Sequence, residues 1–170
     1  MSTVVYVPRD SGALSLGAER VARAIAREAE ARGQSVRIVR NGSRGLYWLE
    51  PLVEVAAPGG RVGYGPVGAR DVPGLFEAGF LDGGRHALSL GPTAEIPYLK
   101  SQQRLTFARV GITDPASVED YVAHGGFRGL AQALTMAPPA IVQAVTDSGL
   151  RGRGGAAFPT GIKWKTVLDQ

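Results

Sequence analysis

The most informative absence in this 170-residue sequence is that of cysteine. Without thiols the chain can form no disulfide, no thiolate zinc site and no iron–sulfur cluster held by its own cysteines, and it has no thiol nucleophile. Histidine is also scarce. The two histidines, His86 and His124, stand far apart in the sequence. We therefore predict no metal site in this chain.

Long apolar runs are missing as well. No stretch reaches the roughly 18 consecutive apolar residues that a membrane-spanning helix needs. The first ten residues, MSTVVYVPRD, lack the basic region and apolar core of a secretory signal. Together with the lack of cysteine, these features predict a cytoplasmic protein that does not insert into a membrane.

An excess of positive charge is present, but it is local. The formal net charge is +4. Residues 1–120 hold 14 Lys and Arg against 13 Asp and Glu, whereas residues 121–170 hold 5 against 2. Four of those five basic residues lie between Arg151 and Lys165. Because a nucleic-acid-binding domain presents a broad basic face, this distribution predicts no nucleic-acid partner.

Residues 1–80 alternate strand and helix patterns, which predicts an α/β fold with helices packed on a small sheet. Apolar residues at helical spacing, including Val21 and Ile25, give the predicted helix its buried face. Short β-branched runs predict the strands. The predicted elements are strands Thr3–Val7 and Val36–Val39, a helix Leu14–Ala31, a hairpin of Leu52–Ala56 with Arg61–Tyr64, and a short helix Asp71–Ala78.

The remainder divides into a predicted linker, residues 81–110, and a helical region, residues 111–170. Glycine and proline pairs interrupt the linker. The pair Asp114-Pro115 predicts a helix start, because aspartate caps and proline suits the first turn. A later helix opens at Pro138-Pro139 and is expected to turn Ile141, Val142 and Val145 inward.

A glycine-rich loop follows that helix and is the sharpest motif in the chain, with the sequence SGLRGRGGAAFPTGIKW from Ser148 to Trp164. Glycines allow a backbone to approach a ligand closely and allow successive N–H groups to point at one anion. Pro159-Thr160 predicts a helix directly after the loop, with its positive end toward it. With Arg151, Arg153 and Lys163, the pattern predicts a phosphate cradle beside a stacking ring, Phe158. The alternative is a solvated glycine hinge.

Two common nucleotide motifs do not fit this loop. A Walker A loop requires four residues between its glycines and a lysine directly after the second, but five residues separate Gly155 from Gly161 and Ile162 precedes Lys163. The spacing Gly152-x-Gly154-x-x-Ala157 matches the Gly/Ala form of the dinucleotide fingerprint. That fingerprint must follow a strand, whereas residues 139–148 have helical periodicity.

The run GLRGRGGAAFPTGIKW resembles the flavin-binding loop of the FMN- and NAD(H)-binding subunit of respiratory complex I and its relatives. Residues 111–115 and 121–127 resemble the approach to that loop. The resemblance covers about residues 95–170 and implies that FMN and NAD(H) are the cofactor and substrate. It implies FMN contacts from Gly152, Arg153, Gly154, Gly155 and Lys163, with Gly154, Gly155, Phe158 and Lys163 also bordering NAD(H).

Residues 1–80 are similar to the thioredoxin-like domain of the [2Fe–2S] partner subunit in that family. Four cysteines hold the family's cluster after the first and second strands, where this chain has Pro8–Ala13 and Arg40–Arg44 without cysteine. A cluster-free thioredoxin-like domain fused ahead of the flavin region is most similar to the β subunit of cytoplasmic NAD-dependent formate dehydrogenase. The resemblance implies an oxidoreductase subunit that passes electrons between NAD(H) and iron–sulfur clusters and binds other subunits, including an iron–sulfur subunit.

Two alternatives remain at this point. The chain also resembles the diaphorase subunits of NADH dehydrogenases and NAD-linked hydrogenases. The family's second flavin loop, its acidic nucleotide contacts and its [4Fe–4S] cysteines are expected beyond residue 170. The isolated 170 residues are therefore expected to be inactive alone, and a non-catalytic thioredoxin-like interaction module is the other hypothesis.

Overall fold

The computed structural model describes residues 2–170, and the chain divides into two compact units at residues 124 and 125. The first unit contains a five-stranded sheet and the second contains only helices and the glycine-rich loop. The division lies beyond the predicted linker, so residues 81–124 are part of the first unit. Among residues 2–170, no helix is long and apolar enough to cross a membrane.

The sheet has the strand order β2-β1-β3-β4-β5. Strands β1 and β2 are parallel, and the remaining neighbours are antiparallel. Ala57 pairs with Gly60 across the β3–β4 turn, where Gly59 has a φ of +91°. The predicted α/β class is confirmed, because helices pack on a mixed five-stranded sheet. The strands are β1 (Thr3–Tyr6), β2 (Val36–Val39), β3 (Val53–Ala57), β4 (Gly60–Tyr64) and β5 (Ser89–Pro92).

The helices correct two details of the sequence analysis. The predicted helix Leu14–Ala31 is two helices, because Gly17 takes a φ of +103° between them. The helix predicted to start at Asp114-Pro115 begins at Val118 and is capped by the Ser117 hydroxyl. The helices are α1 (Ser11–Ser15), α2 (Ala18–Ala31), α3 (Val72–Glu77), α4 (Pro97–Lys100), α5 (Val118–Ala123), α6 (Arg128–Ala133), α7 (Pro138–Asp147) and α8 (Thr160–Leu168).

Strand β5 lies inside the segment predicted as a linker, and that part of the prediction is wrong. Its residues pair with β4 at Val62, Gly63 and Tyr64. The strand is four residues long and contains Gly91 and Pro92. An edge strand tolerates proline because one side of its backbone has no strand partner, so the glycine–proline pair concealed the strand.

The core of the first unit lies between the sheet and helices α2 and α3. Val21 and Ile25 are buried there, as predicted, at 1% and 0% exposure. Tyr64 and Phe80 pack edge to face with ring centroids 5.8 Å apart. The sequence periodicity of α2 therefore located the apolar face correctly.

Truncating the buried face of α2 should destabilise the first unit. We expect Ile25→Ala to lower the free energy of unfolding by about 2–5 kcal/mol, because the cavity adds to the lost transfer energy. Denaturant unfolding followed by circular dichroism measures the change. Arg27→Ala, on the exposed face of the same helix, is the control and should change stability by less than about 0.5 kcal/mol. Equal effects of the two variants would contradict this packing.

The opposite face of the sheet carries a buried charge network that the sequence analysis did not predict. Glu54 is fully buried, and its carboxylate accepts two hydrogen bonds from Arg44, at 2.9 and 2.7 Å. Arg61 lies 3.7 Å from the same carboxylate and places its guanidinium 3.3 Å from the centroid of the Tyr6 ring. Burial lowers the pKa of Arg61, and Glu54 opposes that shift.

Arg61 also holds a later part of the chain on this face. Its two terminal nitrogens donate to the carbonyls of Gly111 and Ile112 at 3.0 and 2.8 Å. The Asn41 amide donates to the Gly111 carbonyl at 2.8 Å. Gly111 has a φ of +76°, and a Cβ there would meet the Arg44 side chain at 2.7 Å. Side-chain hydrogen bonds therefore attach residues 111–112 to the sheet and to the loop after β2.

A buried carboxyl group lies near the loops that follow β1 and β2. Glu50 is 4% exposed and accepts hydrogen bonds from the Ser43 hydroxyl at 2.7 Å and from the Leu52 amide at 3.0 Å. Burial raises the pKa of Glu50 above its ordinary value of 4.5, and the charges of Asp10 and Glu54 raise it further. The two hydrogen bonds act in the opposite direction.

This raised pKa makes stability depend on pH in a definite direction. The folded state binds the Glu50 proton more tightly than the unfolded state. The stability that protonated Glu50 contributes is therefore complete below pH 4.5 and is lost as the pH rises through the raised pKa. We expect the stability of the wild type, relative to Glu50→Gln, to fall over that range. Urea unfolding at a series of pH values measures it. A difference in stability between the two proteins that does not change with pH would contradict the raised pKa of Glu50. The control is Glu95→Gln, at an exposed position.

Candidate functional site

The glycine-rich loop connects α7 to α8 and closes on itself at its base. Arg151 and Pro159 face each other in an antiparallel bridge. The Gly152 amide donates to the Phe158 carbonyl, and the Thr160 amide donates to the Leu150 carbonyl, both at 2.9 Å. Residues 152–158 therefore form a hairpin-like loop. Helix α8 begins directly after it, at Thr160, as the sequence predicted.

The middle of the loop offers space next to bare backbone. An added Cβ at Gly154 or at Gly155 would meet no other atom within 4 Å. At Gly152, by contrast, a Cβ would lie 3.4 Å from the Lys163 ammonium. Two of the glycines therefore leave backbone open to a ligand, and the third lies beside Lys163.

Lys163 and Phe158 lie side by side at the start of α8. The Lys163 ammonium is 5.9 Å from the centroid of the Phe158 ring, and that ring is 47% exposed. Lys163 forms no hydrogen bond or ion pair within residues 2–170. No side chain of the described residues caps the first turn of α8. An exposed cation, an exposed aromatic ring and a helix N-terminus therefore lie at the base of the loop that carries the open glycines.

The two arginines of the loop contact the loop itself. Arg151 donates from Nε to the Ala157 carbonyl at 2.8 Å, and Arg153 donates to the Arg151 carbonyl at 3.0 Å. Both guanidinium groups therefore donate to the loop backbone, which the sequence did not predict. The structure brings together the predicted residues Gly152, Arg153, Gly154, Gly155, Phe158 and Lys163.

Helices α7 and α8, which flank the loop, pack closely against each other. Gly161 is buried in the first turn of α8, and a Cβ there would overlap the hydroxyl and Cα of Thr146 on α7. Ile141 and Val142 are only half-buried, and with Trp164 they line an apolar groove of about 340 Å³ between α7 and α8. Ile141 and Val142 therefore turn toward α8, in the predicted direction, but neither is fully buried.

In the first unit, the loops after β1 and β2 lie together. The Arg9 amide donates to the Asn41 carbonyl at 2.9 Å. Asp10 caps α1 through the Ala13 amide. These are the positions at which the resemblance places cluster cysteines. No group of three or more His, Asp or Glu within residues 2–170 is arranged to hold a metal ion.

No family model matches the chain. Its similar curated proteins are oxidoreductase subunits. A 69-residue segment is 54% identical to the NADP-reducing hydrogenase subunit HndC of Solidesulfovibrio fructosivorans, covering 41% of this chain and 14% of that protein. A 51-residue segment is 51% identical to an NADH-quinone oxidoreductase subunit of Streptomyces coelicolor, covering 30% of this chain and 11% of that protein.

These matches support the resemblance to the family of complex I flavin subunits. They do not support the more specific assignment to a formate dehydrogenase. The matched segments span only 14% and 11% of the two relatives. Among solved structures, the thioredoxin-like [2Fe–2S] ferredoxin of Aquifex aeolicus is similar over 53% of this chain and 97% of its own, with 22% identity and a TM-score of 0.45.

Proposed function

We propose that this chain is part of a flavin-dependent oxidoreductase subunit that passes electrons between NAD(H) and iron–sulfur clusters. One observation carries the proposal. One loop combines the open backbone of Gly154 and Gly155 with the Lys163 ammonium and the exposed Phe158 ring, which lie at its base beside Gly152. Such a cradle suits a phosphate attached to a planar ring system. The segment identity to subunits of NADH-quinone oxidoreductases and a hydrogenase supports the redox class.

The residues present fit FMN as the cofactor. Gly152, Gly154 and Gly155 would bring the backbone against it, and Arg153 and Lys163 would supply positive charge for its phosphate. Phe158 would border the position of NAD(H), together with the two open glycines. When bound, FMN would supply the exchange between a two-electron hydride transfer and single-electron transfers. The chain's own contribution is to bind and orient both molecules.

The finer proposal is that the subunit belongs to an NAD-dependent formate dehydrogenase with a separate iron–sulfur subunit. It rests on the resemblance of the cysteine-free first unit to a thioredoxin-like domain, followed in the same chain by the glycine-rich loop. A second candidate, the diaphorase subunit of a hydrogenase or an NADH dehydrogenase, is favoured by the segment identity to such subunits. The purified complex distinguishes them. NAD+ reduction with formate, and none with H₂, supports the first, and the reverse result would overturn it.

Lys163 tests the proposed flavin site. If its ammonium contacts the FMN phosphate, the charge-assisted contact is worth about 1.5–3 kcal/mol. The variant is made in the polypeptide that carries these residues and is purified with its complex. We expect Lys163→Ala to weaken FMN retention about ten- to a hundredfold. Fluorescence of flavin released on denaturation gives the content, and added FMN should restore part of the activity.

Lys165→Ala is the matched control for this variant. Lys165 lies on the same helix, is exposed, and pairs with Asp169 at 2.8 Å. It should leave the flavin content unchanged. Equal flavin content in the wild type and in Lys163→Ala would mean that the loop is a hinge and that Lys163 does not bind the phosphate.

A further inference from the structure

The base of the glycine-rich loop has a side-chain contact in addition to its backbone bridge. The two backbone bonds of the bridge join residues 150–152 to residues 158–160. Arg151 extends across the base, and its Nε donates to the Ala157 carbonyl at 2.8 Å. One guanidinium therefore spans the two sides of the loop.

The carbonyl that Arg151 contacts belongs to a residue in a disfavoured conformation. Ala157 has a φ of +45°, in the left-handed region that favours glycine. Its amide donates to the Gly154 carbonyl at 3.2 Å, which fixes the turn at Gly154–Ala157. Such a backbone conformation persists where surrounding contacts hold it. The bond from Arg151 is one of these contacts.

We propose that Arg151 is a positioning residue that holds the loop in its ligand-ready shape and that it does not itself bind the phosphate. Arg151 directs Nε to the loop backbone, whereas the Lys163 ammonium has no hydrogen bond to residues 2–170. The inference rests on the proposed function, because it assigns a role within that site. Without the Arg151 bond, Ala157 leaves the left-handed region more often, and the fraction of loop able to bind falls.

Two substitutions separate holding the loop from binding phosphate. Arg151→Met removes both the hydrogen bond and the charge, whereas Arg151→Lys keeps the charge but loses the planar guanidinium that reaches Ala157. We expect both variants to weaken FMN binding about tenfold, with the salt dependence of the wild type. A phosphate contact would instead be preserved by lysine and would become less salt-dependent in the methionine variant.

Ala157→Gly provides a rescue. Glycine adopts the left-handed region without the steric cost of a Cβ. The double variant Arg151→Met with Ala157→Gly should therefore bind FMN about threefold more tightly than Arg151→Met alone. Arg128→Met, an exposed arginine on α6, should bind FMN like the wild type. Wild-type affinity in Arg151→Lys, or no rescue by Ala157→Gly, would overturn the proposal.

Amide hydrogen exchange reads the loop shape independently of flavin. In flavin-free protein, Arg151→Met should speed exchange at the Gly152 and Thr160 amides about tenfold, because their bonds close the base of the loop. Unchanged exchange would overturn the positioning role. If wild-type protein binds no FMN, the proposed function fails, and the exchange result still decides whether Arg151 holds the loop.

Discussion

Gly154→Val should abolish flavin retention while leaving the fold intact. A Cβ at Gly154 meets no other atom within 4 Å, and the residue is outside the left-handed region, so an added side chain has open space and does not strain the backbone. The added side chain would occupy the space that the proposed ligand needs. We expect FMN affinity to fall about a hundredfold or more, the equivalent of about 3 kcal/mol.

This variant differs from Lys163→Ala in its response to added cofactor. Excess FMN should not rescue Gly154→Val, because the obstruction is steric and not a lost attraction. Gly129→Val is the matched control, since Gly129 is on α6 and also has no atom within 4 Å of an added Cβ. Full flavin content in Gly154→Val would contradict the cradle, provided that thermal unfolding shows both variants folded.

Arg44→Met should produce the largest loss of stability among the charge variants. It leaves the fully buried Glu54 carboxylate without its two closest donors, with only Arg61 at 3.7 Å. Breaking a buried ion pair from one side costs about 3–5 kcal/mol, because the remaining charge stays desolvated. Denaturant unfolding at neutral pH measures the loss.

The double variant Arg44→Met with Glu54→Met should recover most of that stability, because a buried pair and an apolar pair of similar volume are nearly equivalent. Arg23→Met is the control, since Arg23 pairs with Glu19 on the exposed face of α2. It should cost at most about 1 kcal/mol. Two results would mean that Arg44 does not hold Glu54. One is a small loss of stability in Arg44→Met, and the other is a double variant whose loss equals the sum of the losses of the two single variants.

The fold was largely predictable where the chain is periodic. The apolar spacing of α2 and the β-branched residues of β1 and β2 gave the α/β class and the buried residues Val21 and Ile25. Strand β5 was missed because its pairing with β4 depends on distant residues, and its glycine and proline hide it. The Glu54–Arg44 pair was missed because the sequence carries no signal that joins a loop arginine to a strand glutamate ten positions later.

The loop was predictable for a different reason. Its glycines, proline and cations are contiguous in sequence, so local chemistry alone placed the open backbone next to α8. The sequence did not predict the direction in which each charged side chain of this region points. Arg151 and Lys163 have the same charge, yet one contacts the Ala157 carbonyl and the other lies above Gly152.

An anaerobic titration with NADH tests the central claim most directly. The polypeptide that carries these residues is purified in its complex, and the flavin absorbance is followed as NADH is added. We predict that FMN is present in stoichiometric amount and that NADH bleaches it. A complex that holds no FMN and binds none when the cofactor is added would contradict the assignment of this loop as a flavin site.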